Sequence, residues 1–157
     1  MVERKKFEII PLLGRHLAQV ASIEKESFIS PWSETAFRQE CKLPSSVAFV
    51  ATERESDSGL AKVIGYAFAR VAADEMEILN LAVGISWRRR GVATALLQKV
   101  IESARDSKVK KVFLDVRSSN VPARKLYDKL NFEVCAVRRR YYTDTGEDAL
   151  LMKKTVD

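Results

Sequence analysis

The segment EILNLAVGISWRRRGVATALLQKVIESA, Glu77 to Ala104, decides how this chain folds. It opens on an apolar run, Ile78 to Val83, broken only by Asn80 and too apolar to turn one face to water. Such a run predicts a strand in the middle of a sheet. The segment closes with Ala93, Leu96, Leu97, Val100, Ile101 and Ala104 at helical spacing, which predicts an amphipathic helix from Gly91 to Ala104. Between them stand Arg88, Arg89, Arg90 and Gly91. Two readings compete for this turn: a basic patch for nucleic acid, or a phosphate cradle in which the glycine opens the helix. Its place between a buried strand and a strong helix favours the cradle. The first turn of a helix carries N–H groups without intrahelical partners and about half a positive charge. Gly91 lets a ligand come close to the backbone, Ala93 is small enough to keep the approach open, and arginines add charge-assisted contacts. The pattern is neither a P-loop nor a dinucleotide fingerprint, since no Gly-Lys-Ser/Thr and no G-x-G-x-x-G is present.

Working outward, FEIIPLL (Phe7–Leu13) reads as a strand and His16–Phe28 as a helix with Leu17, Val20, Ala21, Ile23 and Phe28 on one face. Ser33 is placed to cap a second helix. Val47–Glu53 and Ala61–Ala73 read as strands joined through the turn Ser56–Gly59. After the long helix come a strand (Lys111–Val116), a helix (Asn120–Leu130), a strand (Phe132–Arg138) and, past the turn TDTGE, a last strand (Asp148–Lys154). The fold class expected is α/β (an α+β mixed sheet) with helices on both faces. The strands flanking the long helix should be parallel through a right-handed crossover.

Composition narrows the function classes. With 157 residues, 46% hydrophobic and 31% charged, the chain is expected to form one domain with a real core rather than a disordered segment. No apolar run approaches the roughly 18 residues that span a bilayer, and the N-terminus does not read as a signal peptide. A cytoplasmic location without membrane partners is therefore expected. Cys41 and Cys135 are too few and too far apart for a disulfide framework or a zinc site, and both are expected in or near the core. The net charge of +6 favours anionic partners. Direct nucleic-acid binding is disfavoured, because the arginines gather at two loops and lack interleaved aromatics.

Arg88-x-x-Gly91-x-Ala93, after the strand EILNLAV and before the helix GVATALLQKVIESA, resembles the acetyl-CoA pyrophosphate loop of the GNAT superfamily of N-acetyltransferases. FLDVRSSNVPARKLYDKLNF (Phe113–Phe132) is similar to that superfamily's later cofactor segment. SPWSETAF (Ser30–Phe37) and VRRRYYTDTGEDALLM (Val137–Met152) look like the RimI-type branch, which acetylates the N-terminal alanine of a ribosomal protein. The resemblance runs from about Phe7 to Met152 and implies a single GNAT domain over residues 1–157, with strands splayed around acetyl-CoA.

What the resemblance implies residue by residue can be set against the chemistry. Backbone of Leu81, Ala82 and Val83 would bond the pantetheine arm, as an added strand does at a sheet edge. Arg88, Arg89, Arg90, Gly91, Val92, Ala93 and Thr94 would hold the pyrophosphate, and Asn120 would bond the arm again. Tyr127 would serve as general acid. The family's base position falls on Asp115, where glutamate is usual, so that the carboxylate is one methylene shorter; Glu77 is a second candidate. Trp32 and Tyr141 would wall the acceptor. No metal is implied, and transfer would be direct in a ternary complex of acetyl-CoA and a protein N-terminus. Acetylation of a small-molecule amine, or a non-catalytic acyl-CoA-binding or ribosome-docking module, stands as the alternative.

Overall fold

A computed structural model describes residues 6–53 and 61–156, so the turn expected at Ser56–Gly59 lies outside the described residues. The elements follow in the order β1 (Phe7–Pro11), α1 (Leu17–Ser27), α2 (Glu34–Cys41), β2 (Ser46–Glu53), β3 (Val63–Ala72), β4 (Glu75–Val83), α3 (Val92–Asp106), β5 (Lys111–Arg117), α4 (Val121–Lys129), β6 (Glu133–Tyr142) and β7 (Glu147–Thr155). Short 3₁₀ turns precede α1 and follow β4. The strands form one seven-stranded mixed sheet in the order β1-β2-β3-β4-β5-β7-β6, with the run read as central at its middle. β4 and β5 are parallel, as the intervening helix requires, and β5 with β7 and β6 with β7 are antiparallel. Among the described residues no helix is long and apolar enough to cross a membrane.

Two compact units divide the chain, Met1–Ala69 with Asn80–Val100 and Arg70–Leu79 with Ile101–Asp157. In the first, α1 buries Leu17, Val20 and Ile23, and an aromatic cluster forms around Phe37, whose ring centroid lies 4.9 Å from Phe68 and 5.7 Å from Tyr66. Phe28, expected on the buried face of α1, is instead exposed: it follows the helix in extended backbone, and the stripe continues through Glu24. Ser33 caps α2 as anticipated, its Oγ accepting from the Ala36 N–H at 3.1 Å. In the second unit, Val112, Leu114 and Val116 of β5 and Ala149 and Met152 of β7 supply the core. Both cysteines are exposed rather than core, because Cys41 ends a short surface helix and Cys135 lies on β6, a strand exposed along nearly its whole length.

Within the first unit, α3 packs down through Val92, Leu96, Leu97 and Val100, all at most 1% exposed. The close approach depends on Gly65 of β3. A Cβ there would lie 3.1 Å from the Ala82 carbonyl oxygen and 3.2 Å from both Leu96 Cδ1 and Val92 Cγ1. Backbone oxygen and the first turn of a helix do not give way readily. Gly65→Ala should therefore lower the unfolding free energy by about 1–3 kcal/mol in a urea titration, the usual cost of overpacking. An unchanged midpoint would show that β3 and α3 can separate freely.

Candidate active site

The turn after β4 is built to present backbone donors. Beyond Val83 the chain makes a 3₁₀ turn at Ile85–Trp87, then passes through left-handed backbone at Arg89 (φ 62°) and Gly91 (φ 83°) before α3 begins. The first bond of the helix runs from Ala95 N to Gly91 O at 3.0 Å, leaving the N–H groups of Val92, Ala93 and Thr94 at the open end. Gly91 answers to its positive φ, since a Cβ there would meet nothing within 4 Å. The space beside it is open to a ligand, and no acidic side chain stands in the first turn of α3 to repel an anion.

The three arginines have different roles. Arg88 folds back, its Nε donating to the Val83 carbonyl at 3.0 Å and an Nη to Ser27 Oγ at 3.4 Å, so its side chain fastens the turn to the end of β4. Arg90 lies over the Trp87 ring, 5.0 Å from its centroid. Arg89 occupies the left-handed position and is exposed.

Leu81, Ala82 and Val83 line the last part of β4. The β4–β5 ladder pairs Glu75–Glu77 with Lys111–Phe113 and ends there, although β4 continues to Val83 and β5 to Arg117. On the other side β3 keeps pace, with Gly84 N donating to Ile64 O at 2.8 Å. The last six residues of β4 thus have no ladder partner in β5.

The second unit gathers the expected catalytic side chains. Glu77 is exposed and opposite Phe113; Asp115, two residues along β5, shares its face about 7 Å further on. Arg138 of β6 donates from Nε to Asp115 Oδ1 at 3.1 Å, which occupies one carboxylate oxygen. Tyr127 on α4 is buried, with its ring edge-on to Phe132 at 5.9 Å, and its carbonyl accepts from both Leu130 and Phe132 N–H, which fixes the helix end. Burial, helped by the neighbouring Tyr142 hydroxyl, pushes its pKa up to about 12. Asn120 caps α4, Oδ1 accepting from Ala123 N at 3.2 Å, and its amide still carries two N–H donors.

Of the two expected acceptor residues, Trp32 is half-buried against Phe37, ring centroids 5.2 Å apart. Tyr141 is 49% exposed, with Arg138 5.6 Å from its ring centroid. Its neighbour Tyr142, not singled out from the sequence, turns inward. Burial and then the Asp115 charge push its pKa up to about 12, and its hydroxyl in turn raises that of Tyr127. Arg117 was also missed. Its guanidinium clasps Asp144 in a bidentate pair at 2.9 and 2.6 Å, reaches Thr145 at 3.0 Å and Glu147 at 3.2 Å, and lies 4.0 Å from the Tyr142 ring centroid. Ser119 donates to Glu147 as well. An arginine 27 residues from its aspartate gives no local signal; the turn aspartate itself was the only clue.

Comparison with known proteins identifies the family. The family model described as "Acetyltransferase (GNAT) family" matches residues 17–132. The chain belongs to the GNAT family of acetyltransferases. It is 33% identical, over 83% of its own length and 84% of the relative's, to the [ribosomal protein bS18]-alanine N-acetyltransferase of Escherichia coli. A Bacillus subtilis protein provisionally given the same name is 33% identical over 88% of both chains. The crystal structure of the Escherichia coli ribosomal-protein alanine N-acetyltransferase superposes with a TM-score of 0.84 at 31% identity, covering 96% of this chain and 94% of that one. The GNAT fold expected from the pyrophosphate-loop segment is therefore the fold observed, and the chain is an N-acetyltransferase.

Raised phenol pKa values make a stability statement. Tyr127 and Tyr142 keep their protons to about 12 in the folded chain, against 10.0 for an ordinary tyrosine. The stability that this difference contributes is complete below pH 10 and is lost as pH climbs through the window up to 12. Urea titrations carried from neutral to alkaline pH should show unfolding free energy falling in that window, with a shallower fall in Tyr127→Phe and Tyr142→Phe. Equal slopes in all three proteins would mean that neither hydroxyl is shielded.

Proposed function

We propose that this GNAT enzyme transfers the acetyl group of acetyl-CoA to the α-amino group of a protein N-terminus, an alanine-led ribosomal N-terminus being the acceptor suggested by its relatives' names. The observation that carries the reading is the early end of the β4–β5 ladder at Glu77 and Phe113. It leaves the backbone of Leu81, Ala82 and Val83 to bond a pantetheine arm, as an added strand would. The same chain segment then delivers the N–H groups of Val92, Ala93 and Thr94, with Gly91 and Arg89, to a pyrophosphate. Arg88 serves by holding the turn rather than by touching phosphate, and Arg90 by shielding one face with Trp87. Asn120 has amide donors left for the arm.

Bound acetyl-CoA supplies an activated thioester. The rest is the work of side chains. An α-ammonium has a pKa near 8, so the nitrogen must shed a proton before its lone pair can form the new N–C bond. Asp115 is the preferred base, because the oxygen that Arg138 leaves uncovered can accept that proton directly or through one water. Its shared surroundings with Tyr142, and Tyr142's with Tyr127, support it ahead of Glu77. As the C–S bond breaks, sulfur takes the electron pair. Tyr127 donates a hydrogen bond to it; complete proton transfer from a phenol near 12 to a thiolate whose thiol has a pKa of roughly 8.5 is uphill, so the final proton comes from solvent. Tyr127 therefore acts chiefly by stabilising charge on the sulfur.

The deciding experiment is thiol release from acetyl-CoA with N-terminal peptides varied at their first two positions. Alanine- and serine-led peptides should be acetylated fastest; turnover of polyamines or aminoglycosides without peptide turnover would replace the proposal with a small-molecule reading. Tyr127→Phe should lower kcat by about 10²-fold while the acetyl-CoA KM stays close to wild type. Gly91→Val should do the reverse, raising that KM with peptide KM little changed, because a branched side chain strains the φ of 83° and fills the open approach. A wild-type kcat in Tyr127→Phe would remove Tyr127 from the chemistry.

A further inference from the structure

One fully buried carboxylate has no part in this chemistry. Glu24 lies on α1 and is 1% exposed. Its Oε1 accepts from the Tyr66 hydroxyl of β3 and from Asn80 Nδ2 of β4 at 3.2 Å. Its Oε2 accepts from the same Nδ2 at 3.1 Å and from the backbone N–H of Trp32 at 3.0 Å. Burial first, and then the Glu24 charge, drive the Tyr66 pKa far up, so its hydroxyl is a fixed donor. The Asn80 amide is oriented by the same charge: its NH₂ faces both carboxylate oxygens, and its Oδ1 is buried without a partner. Turning that amide over would set three oxygens against one another.

A charged residue in a core is an expensive way to hold a helix against a sheet, since an apolar side chain of similar volume often serves as well or better. What an apolar side chain cannot do is accept a backbone N–H from a loop. The loop after α1 has little apolar anchorage at its start, where Phe28 is 37% and Ile29 67% exposed. Trp32 is held by its N–H bond to Glu24 and by its ring on Phe37.

We infer that Glu24 is a positioning residue for the acceptor: it tethers Trp32 and its loop to Asn80, the residue immediately before the Leu81–Val83 backbone. Both ends of the tether are in the first unit, so one buried carboxylate fixes the acceptor wall relative to the strand that holds the acyl donor. The inference rests on the proposed N-terminal acetylation only for the identity of what Trp32 faces. Tyr66 and Asn80 supply the rigid side of the tether, and Trp32 N–H the side that would be released.

The test uses Glu24→Gln, which keeps the volume but turns one acceptor into a donor facing other donors, with Glu24→Asp as the conservative partner. With steady-state kinetics on N-terminal peptides, the peptide KM should rise roughly tenfold or more in Glu24→Gln while the acetyl-CoA KM stays within about twofold, and Glu24→Asp should recover part of the loss. The second readout needs no activity. The chain has two tryptophans, Trp32 and Trp87. In a Trp87→Phe background, acrylamide quenching therefore reports Trp32 alone, and it should increase several-fold in Glu24→Gln at temperatures where circular dichroism shows the fold intact. Equal changes in both KM values, or unchanged quenching in a folded variant, would overturn the tether. Should the wild type acetylate no peptide at all, the functional proposal fails, and the quenching comparison still decides whether Glu24 holds the loop.

Discussion

A backbone amide buried without a partner costs about 1–3 kcal/mol, and this constraint shapes everything around β4. The strand holds β3 to its end, through Gly84 N and Ile64 O, but leaves β5 after three residue pairs. A central strand that gives up its ladder so early must either be solvated on that side or offer its N–H and C=O groups to something extended. The turn that follows compounds the demand, because α3 starts with the open N–H groups of Val92, Ala93 and Thr94. Two successive runs of backbone donors on one stretch of chain are the feature from which binding of a long anion-bearing molecule is proposed. Acetyl-CoA, the proposed donor, is such a molecule.

The constraint also explains why the arginines divide their work. A turn that holds a non-glycine residue, Arg89, in left-handed backbone beside Gly91 is strained at Arg89 and needs fastening. Arg88 supplies this by donating to the Val83 carbonyl. From below, Gly65 lets the first turn of α3 settle against β3, at a distance that admits no side chain. Side-chain charge thus holds the turn in shape.

Much of this was legible in the sequence. The element order, the Ser33 cap and the parallel crossover followed from periodicities and cap residues that act over a few positions. Glu24 was not legible, because a lone glutamate on an amphipathic helix reads as solvated charge until Tyr66, Asn80 and Trp32, 42, 56 and 8 residues away, are brought to it. The inward turn of Tyr142 was not legible in the sequence for a geometric reason. Alternation along β6 is broken between Arg138 and Tyr142, where Arg140 takes φ 52°, and a bulge of this kind exchanges the inward and outward positions. Phe28 misled because helical spacing was extended one residue past the end of α1.

Each unit has a surface segment fastened by charge as well as by apolar packing. In the first unit Glu24 takes the Trp32 N–H; in the second Arg117 grips Asp144 and Glu147 at the turn of the hairpin that carries Tyr142. Apolar contacts tolerate sliding by fractions of an ångström, whereas charge-assisted and bidentate bonds fix direction as well as distance. A hairpin whose first strand is exposed along nearly its whole length has little core to hold it, so direction must come from such bonds. Arg138 follows the same logic at Asp115, the proposed base, by bonding to one of its two carboxylate oxygens. For the proposed transfer, which succeeds only when amine nitrogen and thioester carbon meet within a few tenths of an ångström of the reactive geometry, directional fastening of the segments proposed to hold the acceptor is the arrangement that physical chemistry favours over a better-packed but looser one.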